Sequence, residues 1–150
     1  MSTATTTPPT PWPTVKLGDV CEVINGLWKG TKPPLVNVGV IRATNFTKLC
    51  EFDASKTVYI DVEERKYLKR KLRFGDIVVE RSGGGPNQPV GRVIYFNLEE
   101  GEYSLSNFTS ALRVKDSIEL DPYYLYRILT ICYVSGVTEK MQSNSVQLRN

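Results

Sequence analysis

The segment Arg81-Ser82-Gly83-Gly84-Gly85-Pro86-Asn87-Gln88-Pro89 combines residue types that bind anions and nucleobases with a backbone that can come close to them. Consecutive glycines remove the steric bar to a near approach, while Arg81, Ser82, Asn87, Gln88 and the following Arg92 supply donors and acceptors for phosphates and base edges. The loop is not a nucleotide P-loop. That motif needs lysine and a hydroxyl residue after its last glycine, and Pro86-Asn87-Gln88 stands there instead. Polar side chains of the same kind follow or interrupt apolar runs elsewhere: Arg42, Thr44 and Asn45, then Asn107, then Gln142, Ser143 and Asn144. In a DNA major groove arginine pairs with guanine, and asparagine or glutamine with adenine. The plainer reading of the Gly/Pro segment is an exposed hairpin loop.

Charge is concentrated rather than large. The net charge is only +3, yet Arg65, Lys66, Lys69, Arg70, Lys71 and Arg73 fall in one short stretch. Lys66, Lys69, Arg70 and Arg73 are spaced to form one outer stripe on a helix, suited to DNA phosphates or simply to solvent. The chain has no histidine, which removes the commonest general base, the commonest metal ligand and every Ser-His or Cys-His nucleophile. The carboxylates Asp61, Glu63, Glu64 and Asp76 fit a helix start and a strand edge without any catalytic role.

Asp121-Pro122-Tyr123-Tyr124 resembles the amine-holding motif of amino-methyltransferases but lacks its second proline. No glycine-rich strand-turn-helix for a methyl donor accompanies it, so helix capping is preferred. Cys21, Cys50 and Cys132 are odd in number and contain no C-x-x-C pair. They fit buried thiols in a reducing compartment, with neither disulfide nor zinc, and the expected location is the cytoplasm. Neither a metal nor a cofactor is expected.

These groups need a scaffold, and 150 residues suffice for one core. Residues 1–13 are Thr/Pro-rich and predict a disordered leader, with Trp12 docking on the domain edge. A tight positive-φ turn is expected at Asn25-Gly26. Strands are expected at 38–43, 57–60, 76–80, 90–96 and 104–114 from their β-branched content and turn boundaries. A helix is expected from Asp61 as cap, with Glu64 in capping-box position, to about Arg73, directing Leu68 and Leu72 to the core. A second should run over 123–133 behind Asp121-Pro122 and end near Gly136. The resulting fold class is α+β, a single domain with a curved, mostly antiparallel β-sheet flanked by a few helices, spanning 14–147. Residues 148–150 would begin a linker.

Trp12 and Val15-Lys16-Leu17-Gly18-Asp19-Val20, the Gly26 loop, Val40-Ile41-Arg42 leading to Asn45, Leu72-x-x-Gly75-Asp76-Ile77-Val78, Arg81-Ser82-Gly83, Val90-Gly91-Arg92 and Tyr123-Tyr124-Leu125-Tyr126 occur in that order. The pattern, from Trp12 to about Gln147, resembles a target recognition domain of type I restriction-modification specificity subunits. The resemblance implies a non-catalytic reader of one half of a split DNA sequence. Methylation and cleavage would then belong to methyltransferase and restriction subunits that use S-adenosylmethionine, ATP and magnesium. Subunits of that family carry two such domains separated by long helices. This sequence stops at Asn150 before any such helix, consistent with a fragment, a truncated product or a half-subunit that pairs with a second copy.

Chemistry and location nominate Arg42, Asn45, Arg81, Ser82, Asn87, Gln88, Arg92, Asn107, Gln142 and Asn144 as base-reading positions on double-stranded DNA, with Lys69, Arg70 and Arg73 on phosphates. The competing reading is a protein-interaction domain in which Trp28, Tyr123, Tyr124 and Tyr126 form an aromatic anchor surface.

Overall fold

The computed structural model describes residues 12–82 and 87–141. Most of the expected leader, residues 83–86 of the glycine loop, Gln142, Asn144 and the expected linker start lie outside the described residues. A short helix α1 (Leu17–Val20) leads into β1 (Cys21–Asn25). There follow β2 (Leu35–Ile41), β3 (Val58–Glu63), α2 (Glu64–Arg70), β4 (Ile77–Glu80), β5 (Val93–Tyr95), β6 (Tyr103–Leu105), β7 (Thr109–Val114), α3 (Pro122–Val134) and α4 (Val137–Met141). The α+β class and the mostly antiparallel pairing are as expected. The strands divide over two sheets, ordered β1-β7-β4-β5 and β3-β2-β6, and the pairing of β2 with β6 is parallel.

Period-two alternation explains how the layers stack. On β4, Val78 joins a core with Ile24, Ile41, Phe46, Leu72, Ile94, Phe96, Leu105 and Ala111, which draws on both sheets and so lies between them. The flanking Ile77 and Val79 face the other way, into a cluster with Val93, Cys50 and Tyr126 beneath α3. On β2, Val38 and Val40 turn to Leu27, Val62 and the α2 residue Tyr67, while Ile41 enters the central core. The layers are therefore α2, the three-stranded sheet, the central core, the four-stranded sheet and α3. Each fully buried aliphatic or aromatic side chain contributes roughly 1.5–3 kcal/mol relative to exposure.

The expected helix from Asp61 to Arg73 is much shorter. Residues Asp61, Val62 and Glu63 stay in β3, opposite Asn37, Val36 and Leu35, and Asp61 accepts a hydrogen bond from Asn37 Nδ2 at 3.0 Å instead of capping a helix. Burial of Val62 on the strand face outweighs the local capping signal, so the helix begins at Glu64. That start puts Tyr67 inside at 2% exposure and leaves Leu68 outside at 68%. Leu72 does reach the core, but from the segment after α2, where its N–H donates to Tyr103 O.

The single expected strand at 104–114 is two, because Ser106-Asn107-Phe108 form a turn closed by Thr109 N–H donating to Ser106 O. This turn carries the chain from one sheet to the other. The positive-φ turn at Asn25-Gly26 is absent, since neither residue has positive φ. Glycine is required at 26 for another reason: a Cβ there would lie 1.6 Å from Ser106 O. Helix α3 forms as expected, with Asp121 accepting from Tyr123 N–H at 2.8 Å and Gly136 following at φ 83°. Trp12 is 91% exposed and does not dock on the domain edge. No helix among the described residues is long and apolar enough to cross a membrane.

Candidate nucleic-acid interface

Strand direction gathers several chain reversals at one rim of the molecule. Asn25 at the end of β1 pairs with Ser110 at the start of β7, and Glu80 at the end of β4 pairs with Thr109. β2 and β6 run parallel and end together at Ile41 and Leu105, so Arg42 and the Ser106-Asn107-Phe108 turn emerge side by side. Ser106 N–H and Thr109 Oγ1 both donate to Ile41 O, and Arg81 N–H donates to Phe108 O, tying the reversals to one another.

On this rim Arg81 is exposed, with Nη1 donating to Asn25 Oδ1 and Ser110 Oγ, each at 3.2 Å. Ser110 Oγ also donates to Asn25 Oδ1 at 3.2 Å, so the guanidinium is oriented before any ligand arrives. Arg70 reaches the rim from α2, its Nη1 donating to Gly26 O at 2.7 Å. Trp28 and Phe108 stand beside these groups, 73% and 53% exposed, their rings 6.5 Å apart in an edge contact. Cations, amide side chains and exposed rings on one edge form a surface chemically suited to a polyanion with stacked bases.

Over residues 9–150 the sequence matches the family model described as "Type I restriction modification DNA specificity domain". The chain belongs to that family. Among solved structures, the HsdS subunit from Thermoanaerobacter tengcongensis aligns with a TM-score of 0.54 at 19% identity, covering 95% of this chain and 34% of that one. At that identity the likeness is one of fold, and this specificity domain spans about a third of that chain's length. No curated protein matches.

Of the positions nominated from sequence, the specificity domain brings Arg42, Arg81 and Asn107 together on the rim. Arg42 is half-buried and its Nε atom lies buried without a hydrogen-bond partner. Ser82, Asn87 and Gln88 flank residues 83–86 on the same side, with Gln88 Nε2 3.5 Å from Glu80 Oε1.

Asn45 and Arg92 are used inside the molecule and are not available to bases. Asn45 has no exposed surface; its Oδ1 accepts from Arg42 N–H, and its Nδ2 donates to Asp53 O and Thr57 Oγ1. Arg92 forms a two-pronged ion pair with Glu80, at 2.8 and 3.0 Å, and donates to Phe46 O and Ala43 O. The Glu80 hydrogen bonds raise the Arg92 pKa above its ordinary value, so the guanidinium stays charged. It clamps the two stems of the loop between β4 and β5, beside a cavity of about 320 Å³ lined by Val79, Arg81, Val90, Gly91, Thr138 and Met141.

The basic stripe is not one surface. Lys69 is exposed on α2, whereas Lys66 is drawn to Glu63 at 3.2 Å. Arg73 falls after the helix, lining a hollow of about 180 Å³ with Asp76, Arg113 and Pro122 at the opposite end of the four-stranded sheet. Asp76, weighed as a catalytic carboxylate, is buried and held by Arg113 at 2.8 and 2.7 Å.

The four-residue aromatic anchor surface does not form. Tyr126 is buried, donating to Cys50 O, and Tyr123 packs edge-on against Tyr95, 5.2 Å between centroids. That end of β5 is remote from Trp28. Phe108, Asn25 and Ser110 escaped the sequence analysis because only the pairing of β1, β4 and β7 brings them beside Arg81.

Proposed function

We propose that this specificity domain binds double-stranded DNA through the rim formed by Asn25, Arg42, Arg81 and Asn107, reading one half of a bipartite target in the major groove. The supporting observation is the convergence of hydrogen-bonding side chains from four strand ends on one exposed edge, with Arg81 held in position by Asn25 and Ser110. Contacts there would specify sequence, while Lys69 and Arg70 on α2 would meet phosphates and supply salt-sensitive affinity. In this reading Ser82, Asn87 and Gln88 reach bases from the glycine loop, and Gln142 and Asn144 do so from the C-terminal segment. Arg73 is assigned no DNA contact, because it lies at the other end of the sheet.

The domain would contribute recognition, leaving methylation and cleavage to methyltransferase and restriction subunits in the cytoplasm. A bipartite target requires a second recognition domain or a second copy to read the other half.

The test is selection from a randomised duplex pool at low and moderate salt, with sequencing of the retained DNA. A short enriched half-site, relaxed at one position and weakened by about 1–3 kcal/mol in Arg81→Ala, is the expected outcome. Absence of any duplex binding at low salt would overturn the reading in favour of a protein-interaction module.

A further inference from the structure

Resting on the DNA-binding reading above, we infer that Trp28 and Phe108 form an aromatic wedge that packs against a base step of the bound duplex, a contact separate from the hydrogen-bonding readers. Two large rings, 73% and 53% exposed, sit together on the same rim as Arg81. Exposed apolar surface of this kind is unfavourable in water and marks a binding edge when it is clustered. The rings are also rigidly mounted. Leu27 N–H donates to Leu105 O at 2.7 Å, Leu27 pairs with Ser106, and the approach of Gly26 to Ser106 leaves no room for a Cβ. Phe108 is fixed on the other side, its carbonyl accepting from Arg81 N–H at 2.9 Å.

Charge selects the partner. Exposed Lys29 adjoins Trp28 in sequence, Arg70 Nη1 donates to Gly26 O two residues before it, and Arg81, whose backbone N–H donates to Phe108 O, holds its guanidinium against Asn25 and Ser110. Flat rings framed by cations match a partner that presents phosphates beside aromatic faces, which is nucleic acid. Apolar side chains in such settings stack on bases or enter between base steps, and every base offers a π-face, so the wedge adds affinity with little sequence preference.

Trp12 and Trp28 are the two tryptophans of the chain, so Trp12→Phe leaves Trp28 as the sole indole reporter. In that background, titration with the randomised duplex pool at low salt is expected to quench and shift Trp28 emission as DNA binds. Trp28→Ala and Phe108→Ala should each weaken binding by on the order of tenfold, with the slope of log affinity against log salt unchanged, since no phosphate contact is lost. Trp28→Phe should recover most of the loss. Thermal unfolding of each variant separates a lost contact from a lost fold, because both rings project outward and their removal should leave Tm near that of the parent.

A titration in which the chain binds duplex while Trp28 emission stays constant, or in which Trp28→Ala binds like the parent, overturns the wedge alone. Failure of the parent chain to bind any duplex takes down the wedge and the proposed function together.

Discussion

Asn45, Glu80 and Arg92 illustrate how a side chain with the vocabulary of base recognition can be committed to architecture. Glu80 and Arg92 bury their side chains to 3% and 7% exposure, and their pairing is completed by two backbone carbonyls, so neither charge is left unpartnered. Removing one partner alone leaves the other charged and dry. Glu80→Gln is expected to lower stability by about 3–5 kcal/mol in urea unfolding, with the Arg81 region losing order as the loop stems separate. Asn45→Ala strands the N–H of Arg42 and removes a donor from Thr57 Oγ1 and from Asp53 O, the latter keeping its bond from Lys56 N–H. A loss of roughly 1–3 kcal/mol is expected in the same assay, without a change in which DNA sequence is preferred by the folded fraction.

Among the elements, α2 and α3 stand at different distances from the rim, and substitutions on them should separate accordingly. Lys69 is exposed on α2, whose Arg70 reaches Gly26. Lys69→Ala is therefore expected to weaken binding to all duplexes alike and to reduce the magnitude of the log affinity against log salt slope by about one, measured by titration across a salt series. The start of α3 is at the far end of the four-stranded sheet, where the side chain of its capping residue Asp121 accepts from Tyr123 N–H. Asp121→Ala should cost about 1 kcal/mol of stability, read as a lower Tm, and leave DNA affinity unaltered at temperatures where the domain is folded.

Across the molecule, five tyrosines on α2, β5, β6 and α3 share one electrostatic trend. Burial raises the pKa of Tyr67, Tyr95, Tyr126 and Tyr133 above the ordinary 10.0, and a hydrogen bond with Tyr59 does so for Tyr103. Tyr67 is raised furthest, with its hydroxyl donating to Glu102 in addition to its burial. Because the folded state holds these protons more tightly, their contribution is complete below the unfolded value and is lost as pH rises through the folded values. Stability should therefore decline above about pH 10, more steeply than a single tyrosine would produce, and Tyr67→Phe should blunt the decline. Urea midpoints across an alkaline pH series measure this, and a flat series would refute it. The depressed carboxyl pKa of Glu102, set mainly by the same Tyr67 hydrogen bond, acts at the other extreme: its contribution is present above the ordinary carboxylate range and fades as pH falls through it.

Local pattern in the sequence was enough to establish the α+β class, the approximate positions of the strands, the cap and course of α3, and the family resemblance. Each rests on short-range physics: β-branched runs favour strands, Asp-Pro favours a helix start, and the absence of histidine excludes whole classes of chemistry. Tertiary structure decided what local pattern leaves degenerate. Burial of Val62 kept Asp61 in a strand and shortened α2, which exchanged Leu68 for Tyr67 in the core. The chain crossing at Ser106-Asn107-Phe108 split one apparent strand between two sheets. Among the polar residues nominated from sequence, Arg81 and Asn107 came to the surface while Asn45 and Arg92 went inside, because a side chain's role depends on partners distant in sequence. Arg92 meets Glu80 across a loop and Phe46 from 46 residues away, and no window of neighbouring residues contains that pairing.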